Sequence, residues 1–143
     1  MIEVCIGLPT EGLWLRVADR QDRSDPDTVI GSVVTIEATL RSPGLEARRL
    51  VGHHYARGFE ELVDFFIEME RDWRGWAGSK TFSSLEGDLT MTAIHDGHIW
   101  LTVGLRHLTL VEGWDVTTLL RIDPGEQLSR TAAEVRELLR TRA

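Results

Sequence analysis

Apolar side chains recur every second residue through most of the chain, and every third or fourth in two stretches. That change of period divides it into strands and helices. Glu3 to Leu8 is a short apolar run closed by Pro9. Leu13, Leu15 and Val17 then alternate with Trp14, Arg16 and Ala18. A charged, turn-rich loop is expected from Arg20 to Asp27. Ser32 to Leu40 places Val34, Ile36, Ala38 and Leu40 on one face, and Thr35, Glu37 and Thr39 on the other. Pro43-Gly44 marks a turn before a strand over 45–51, which carries Arg48 and Arg49.

The period changes at Gly58. Phe59, Leu62, Phe66, Met69 and Trp73 fall at helical spacing with Val63 beside them, which predicts a helix over 58–73. Glu60 and Glu61 suit the positive end of its dipole. Gly75 reads as a left-handed stop, with Trp76 placed to fold back on the last turn. Leu89, Met91 and Ala93 resume strand alternation. His95-Asp96-Gly97-His98 follows, and Asp-Gly there predicts a two-residue type I′ hairpin. Ile99, Leu101, Val103 and Leu105 share one strand face, opposite Trp100, Thr102 and Arg106. Trp114, Val116, Thr118, Leu120 and Ile122 form the last alternating run, ended by Pro124-Gly125. Leu128, Ala132, Val135 and Leu139 give a second amphipathic helix over 125–141. The expected fold is α+β and occupies residues 1–143 as one domain. It has about eight strands in an antiparallel sheet, either open, partly closed or split into a sandwich, with a central and a C-terminal helix covering one face. No internal repeat is visible.

Composition narrows the function classes. The chain has 143 residues, 42% hydrophobic and 27% charged, which suits one globular core. Its net charge is −7, from 23 acidic and 16 basic residues. Such a chain repels phosphate backbones, so nucleic acid is not an expected partner, whereas a basic protein surface is. The single cysteine, Cys5, allows no intrachain disulfide and is expected as an inert thiol in a strand. The first residues lack the pattern of a signal peptide, and no run of about 18 apolar residues occurs, so a cytoplasmic protein without membrane contact is expected. Fifteen arginines against one lysine, Lys80, fit a GC-rich bacterial source.

No catalytic or metal-binding set stands out, and no cofactor is expected. His95 and His98 flank the predicted hairpin turn and would face each other across it. With Asp96 they still fall short of the three or four ligands that zinc requires, and His107 would have to come from elsewhere in the fold. His53 and His54 lack a nucleophile to activate. Glu86 and Asp88 bracket Gly87. Asp64, Glu68 and Asp72 share one helix face, the pattern of a solvated side. Of the five tryptophans, Trp73 and Trp114 fall on apolar stripes and are expected in the core. Trp14 and Trp100 lie opposite the apolar stripes of their strands and are the candidates for a partly exposed contact surface.

The most distinctive text is Phe65-Phe66, then Asp72-Trp73-Arg74-Gly75-Trp76-Ala77-Gly78, then Ser84-Leu85-Glu86-Gly87-Asp88-Leu89 and His95-Asp96-Gly97-His98-Ile99. These segments resemble an uncharacterised bacterial family, domain of unknown function 6228, over most of the chain. The resemblance supports the fold and implies no chemistry. In size and layout the family is similar to immunity proteins that neutralise toxins. A non-enzymatic binding protein is therefore the first reading. Its acidic side (Glu60, Glu61, Asp64 and Glu68), with Trp14 and Trp100 as further contacts, would meet a basic toxin. The alternative is a small-ligand domain or cryptic enzyme, with a pocket between sheet and helix drawing on His53, His54, Trp14 or Trp100. Either reading allows a homodimer through an edge strand.

Overall fold

In the computed structural model, residues 2–21, 33–53, 59–108 and 111–139 are described. Their order is β1 (Glu3–Leu8), β2 (Glu11–Gln21), β3 (Val33–Ser42), β4 (Leu45–His53), α1 (Glu60–Arg71), β5 (Ser79–Ser83), β6 (Leu89–His95), β7 (Ile99–Leu108), β8 (Gly113–Ile122) and α2 (Glu126–Leu138). The expected α+β class and both helices are present. The strands do not form one sheet, and neither sheet closes: they make two four-stranded antiparallel meanders, β1-β2-β3-β4 and β5-β6-β7-β8. Each meander is followed by a helix, so a ββββα unit occurs twice without a matching repeat in the sequence. Most of the expected loop after Gln21 falls in 22–32, outside the described residues, as does the last part of the expected second helix.

Alternation decides which face each strand buries. Val4 and Ile6, Leu13 and Leu15, Val34, Ile36, Ala38 and Leu40, then Ala47 and Val51 line the inner face of the first sheet. Leu89, Met91, Ala93, Ile99, Leu101, Val103, Leu105, Leu120 and Ile122 do the same for the second. Phe59 at the N-cap and Leu62, Phe66 and Met69 of α1, with Leu128, Ala132, Val135 and Leu139 at α2, join them in one cluster of buried side chains. α1 packs on α2 and on β5, and α2 on β1. Phe65 and Phe66 meet edge to face with ring centres 5.4 Å apart, and Phe65 reaches Phe82 of β5 at 6.3 Å, tying the helix to the second sheet.

One polar tie runs beneath this core. Asp88, buried in the β5–β6 turn, accepts the Ser84 hydroxyl and holds Arg49 of β4 at 3.2 Å. Ser84 Oγ in turn accepts the Leu89 backbone N–H. A single carboxylate thus joins the first sheet to the second.

Two expectations fail at the end of α1. Trp73 is 46% exposed instead of buried. The helix stops at Arg71, so the helical spacing that would have carried Trp73 inward no longer holds. Gly75 adopts positive φ as expected, and its N–H bonds the carbonyl of Asp72. Trp76, however, turns to the second sheet rather than back onto the helix: its indole N–H donates to the Ala93 carbonyl at 3.3 Å and its ring packs against His95.

Candidate functional site

The acidic side of α1 follows from the same periodicity that buries its other side. Glu60, Asp64 and Glu68 recur at every fourth residue and Glu61 lies beside them, and all four are exposed. Glu61, Asp64 and Glu68 have no ion pair among the described residues. Like charges four residues apart cost a helix a few tenths of a kcal/mol per pair, about 0.2–0.5. The dipole offsets this only in the first turn. Asp72 does not belong to that row. It caps the helix end and is shared by Arg71 at 3.2 Å and Lys80 at 2.8 Å.

The two cations around Asp72, Arg71 first and then Lys80, hold its carboxyl at about 2, below the ordinary 3.8. A depressed carboxyl pKa contributes stability that is present above the ordinary value and is lost as pH falls through about 2. Asp72 is expected to titrate near 2 when followed by carboxyl NMR, and Lys80→Met should move its midpoint upward toward 3.8. An unchanged midpoint in that variant would show that Lys80 does not hold the group.

Trp14 and Trp100 do not meet each other or the acids of α1. Trp14 lies on the outer face of the first sheet, across from Cys5 and Thr39. There the charges are matched. Arg16 grips Glu37 through two bonds of 3.0 and 2.9 Å, Arg48 bridges Glu37 and Glu46, and Arg41 bonds Glu46 at 3.3 Å. Hydrogen bonding to Arg16 pulls the Glu37 carboxyl below its ordinary value. Arg41 covers the Trp14 ring at 5.5 Å, and the indole N–H is buried without a partner among the described residues. Cys5 is half-buried on this face, and burial raises its thiol pKa.

Trp100 lies on the outer face of the second sheet, half-buried, with its N–H donated to Asp96 at 2.9 Å. Ile94 faces it across β6, and Leu119 lies on the neighbouring strand, both exposed. A cleft of about 340 Å³ opens beside them, lined by Leu8, Glu11, Trp100, Leu119, Arg121 and Asp123 among others. Ile94 and Leu119 were not singled out from sequence. The doublet Leu119-Leu120 carried the signal, because consecutive residues of a strand point to opposite faces and one leucine must face outward.

The histidines scatter. His95 pairs with Ile99, so the loop is the three residues Asp96, Gly97 and His98, and His95 and His98 are not opposite each other. A type I′ turn needs positive φ at both central residues, and of Asp96 and Gly97 only Gly97 has it. His95 bonds the Trp73 carbonyl at 2.8 Å, whereas His98 bonds Asp123 at 3.3 Å. His107 stacks edge to face on Trp114, which is only half-buried, at the other end of β7. His53 ends β4, but its side chain, and His54 and Tyr55 entirely, lie outside the described residues. No three His, Cys, Asp or Glu side chains converge for a metal among the described residues. No helix among the described residues is long and apolar enough to cross a membrane.

Among known proteins, residues 7–142 match the model of a family described as a family of unknown function, DUF6228. No curated protein and no solved structure matches the chain.

Proposed function

Because the chain belongs to this family of unknown function, its role has to be read from its own surface, and we propose that it is a non-enzymatic protein-binding module that occludes a basic protein in the manner of an immunity protein. One contrast carries the reading. Several acids elsewhere are matched, Glu37 and Glu46 by arginines, Asp72 by Arg71 and Lys80, Asp88 by Arg49. Glu61, Asp64 and Glu68 stand exposed on one side of α1 with no ion pair among the described residues, against the helix's own electrostatic preference. A basic partner would relieve that repulsion. Its complementary field would speed encounter and exclude acidic competitors. The net charge of −7 acts in the same direction at long range.

The test uses the chain as bait for the products of its neighbouring genes, a basic toxin above all. A variant carrying Glu61→Lys, Asp64→Lys and Glu68→Lys, with its fold checked by circular dichroism, serves as the control. Wild type should capture a basic protein whose binding weakens steeply with salt, and the variant should bind it at least about tenfold more weakly. Capture of no basic protein, or equal capture by the variant, would sink the reading.

A further inference from the structure

We propose that β8 is a homodimerisation edge, and that two copies pair antiparallel about a two-fold axis at Thr118, joining their second sheets. The inference uses no residue of α1 and is independent of the partner proposed above.

The argument starts from the edges. Each four-stranded sheet leaves two, and a free edge offers unpaired backbone N–H and C=O groups to any strand that approaches. β5 has five residues and packs on α1, and β1 has six and packs on α2. β4 is pinned by Arg49 to the β5–β6 turn. β8 has ten residues, Gly113–Ile122, with no lysine, no proline and no helix seated on it, though β1 approaches it near Leu120. Short length, proline and lysine are among the features that keep edges single, and β8 lacks these three.

Its side chains are complementary to their own copy in one register. Two identical strands related by a two-fold axis perpendicular to the sheet keep inner residues opposite inner residues, and outer opposite outer. With the axis at Thr118, Asp115 stands opposite Arg121 of the second copy, and Arg121 opposite its Asp115, on the outer face. Thr117 and Leu119 face each other between them. Shifting the axis one residue toward the N-terminus sets Asp115 against leucine. Shifting it one residue the other way sets Asp115 against Asp123, like against like. Cross-strand pairs of opposite charge stabilise a sheet, and like pairs oppose it.

The inner face agrees with the same axis. Trp114 and Val116 are only half-buried, although Leu105, the β7 partner of Val116, is fully buried. In the dimer, Trp114 meets Ile122 of the second copy and Val116 meets its Leu120. Thr118 Oγ1 is buried without a hydrogen-bond partner among the described residues. The axis sets it opposite its own copy, an arrangement in which threonine hydroxyls bond one another.

Sedimentation equilibrium on the full chain tests this, with circular dichroism to confirm that each variant folds. Wild type should be dimeric at about 100 µM, well above the dissociation constant of a modest interface. Asp115→Arg alone sets Arg against Arg, and Arg121→Asp alone sets Asp against Asp. Each should weaken association about tenfold or more. The double variant Asp115→Arg/Arg121→Asp should recover it, and mixing the two single variants should give a heterodimer. A monomeric wild type, a dimer indifferent to the single changes, or a double variant no better than the singles would each overturn the proposal.

Discussion

Replacing Phe66 with alanine is expected to lower the unfolding free energy by about 3–5 kcal/mol, the usual result of removing a fully enclosed aromatic ring. Phe66 is fully buried on α1, against Phe65 and within the buried cluster that both sheets and α2 also enter. A domain of this kind holds only about 5–15 kcal/mol in total, so the change should bring the midpoint of urea unfolding down sharply. The slope of that transition should stay the same, because the surface exposed on unfolding is unchanged. A loss below about 1 kcal/mol, typical of a surface position, would place α1 outside the common interior.

Asp88→Ala is expected to lose roughly 3 kcal/mol, the low end for breaking a buried ion pair, because Arg49 keeps some contact with water. The mechanism differs from that of Phe66. Asp88 has a side chain only 9% exposed, and it accepts from both Arg49 and the Ser84 hydroxyl. Removing it strands both donors close to the core, and an unmatched buried polar group is costly. Asp88→Asn, which keeps a carbonyl for Ser84, should lose less. Chemical denaturation of the two variants side by side measures the difference. Equal and negligible losses would mean that the link between β4 and the β5–β6 turn contributes nothing.

What the sequence made legible was periodicity. Val34, Ile36, Ala38 and Leu40 alternate in the text and are buried together in β3. Leu62, Phe66 and Met69 recur at helical spacing and line the inner side of α1. What it hid was pairing. Nothing in the side-chain pattern says that hydrogen bonding stops at β4 and begins again at β5, since each strand alternates in the same way whichever neighbour it has. β5 itself, Ser-Lys-Thr-Phe-Ser, is short and polar, and only Phe82 is buried, so it left no apolar stripe to find. The Asp96-Gly97 turn was legible as a turn. Its length was not, because register depends on the ladder on either side, and one extra loop residue separated two histidines that the shorter turn would have set face to face.

The proposed contact residues divide along the same line. Their exposure could be read from alternation: Trp14 and Trp100 do lie on outer faces, and the acids of α1 do face away from the core. Their grouping could not, because it depends on how the sheets are arranged. The tryptophans belong to different sheets and the acids to a helix, so a partner meeting the acids has no reason to touch both rings. The charges on the Trp14 face are matched, whereas Glu61, Asp64 and Glu68 on α1 have no ion pair among the described residues.

The most direct test of one interior shared by two sheets and two helices is the coincidence of unfolding probes. Tryptophan fluorescence samples both sheets and the end of α1, while far-ultraviolet circular dichroism samples the whole backbone. Followed together through a urea titration, they should trace one superimposable transition. Two separated transitions, one for each ββββα half, would contradict a common core and with it the rigid placement of the acidic side of α1.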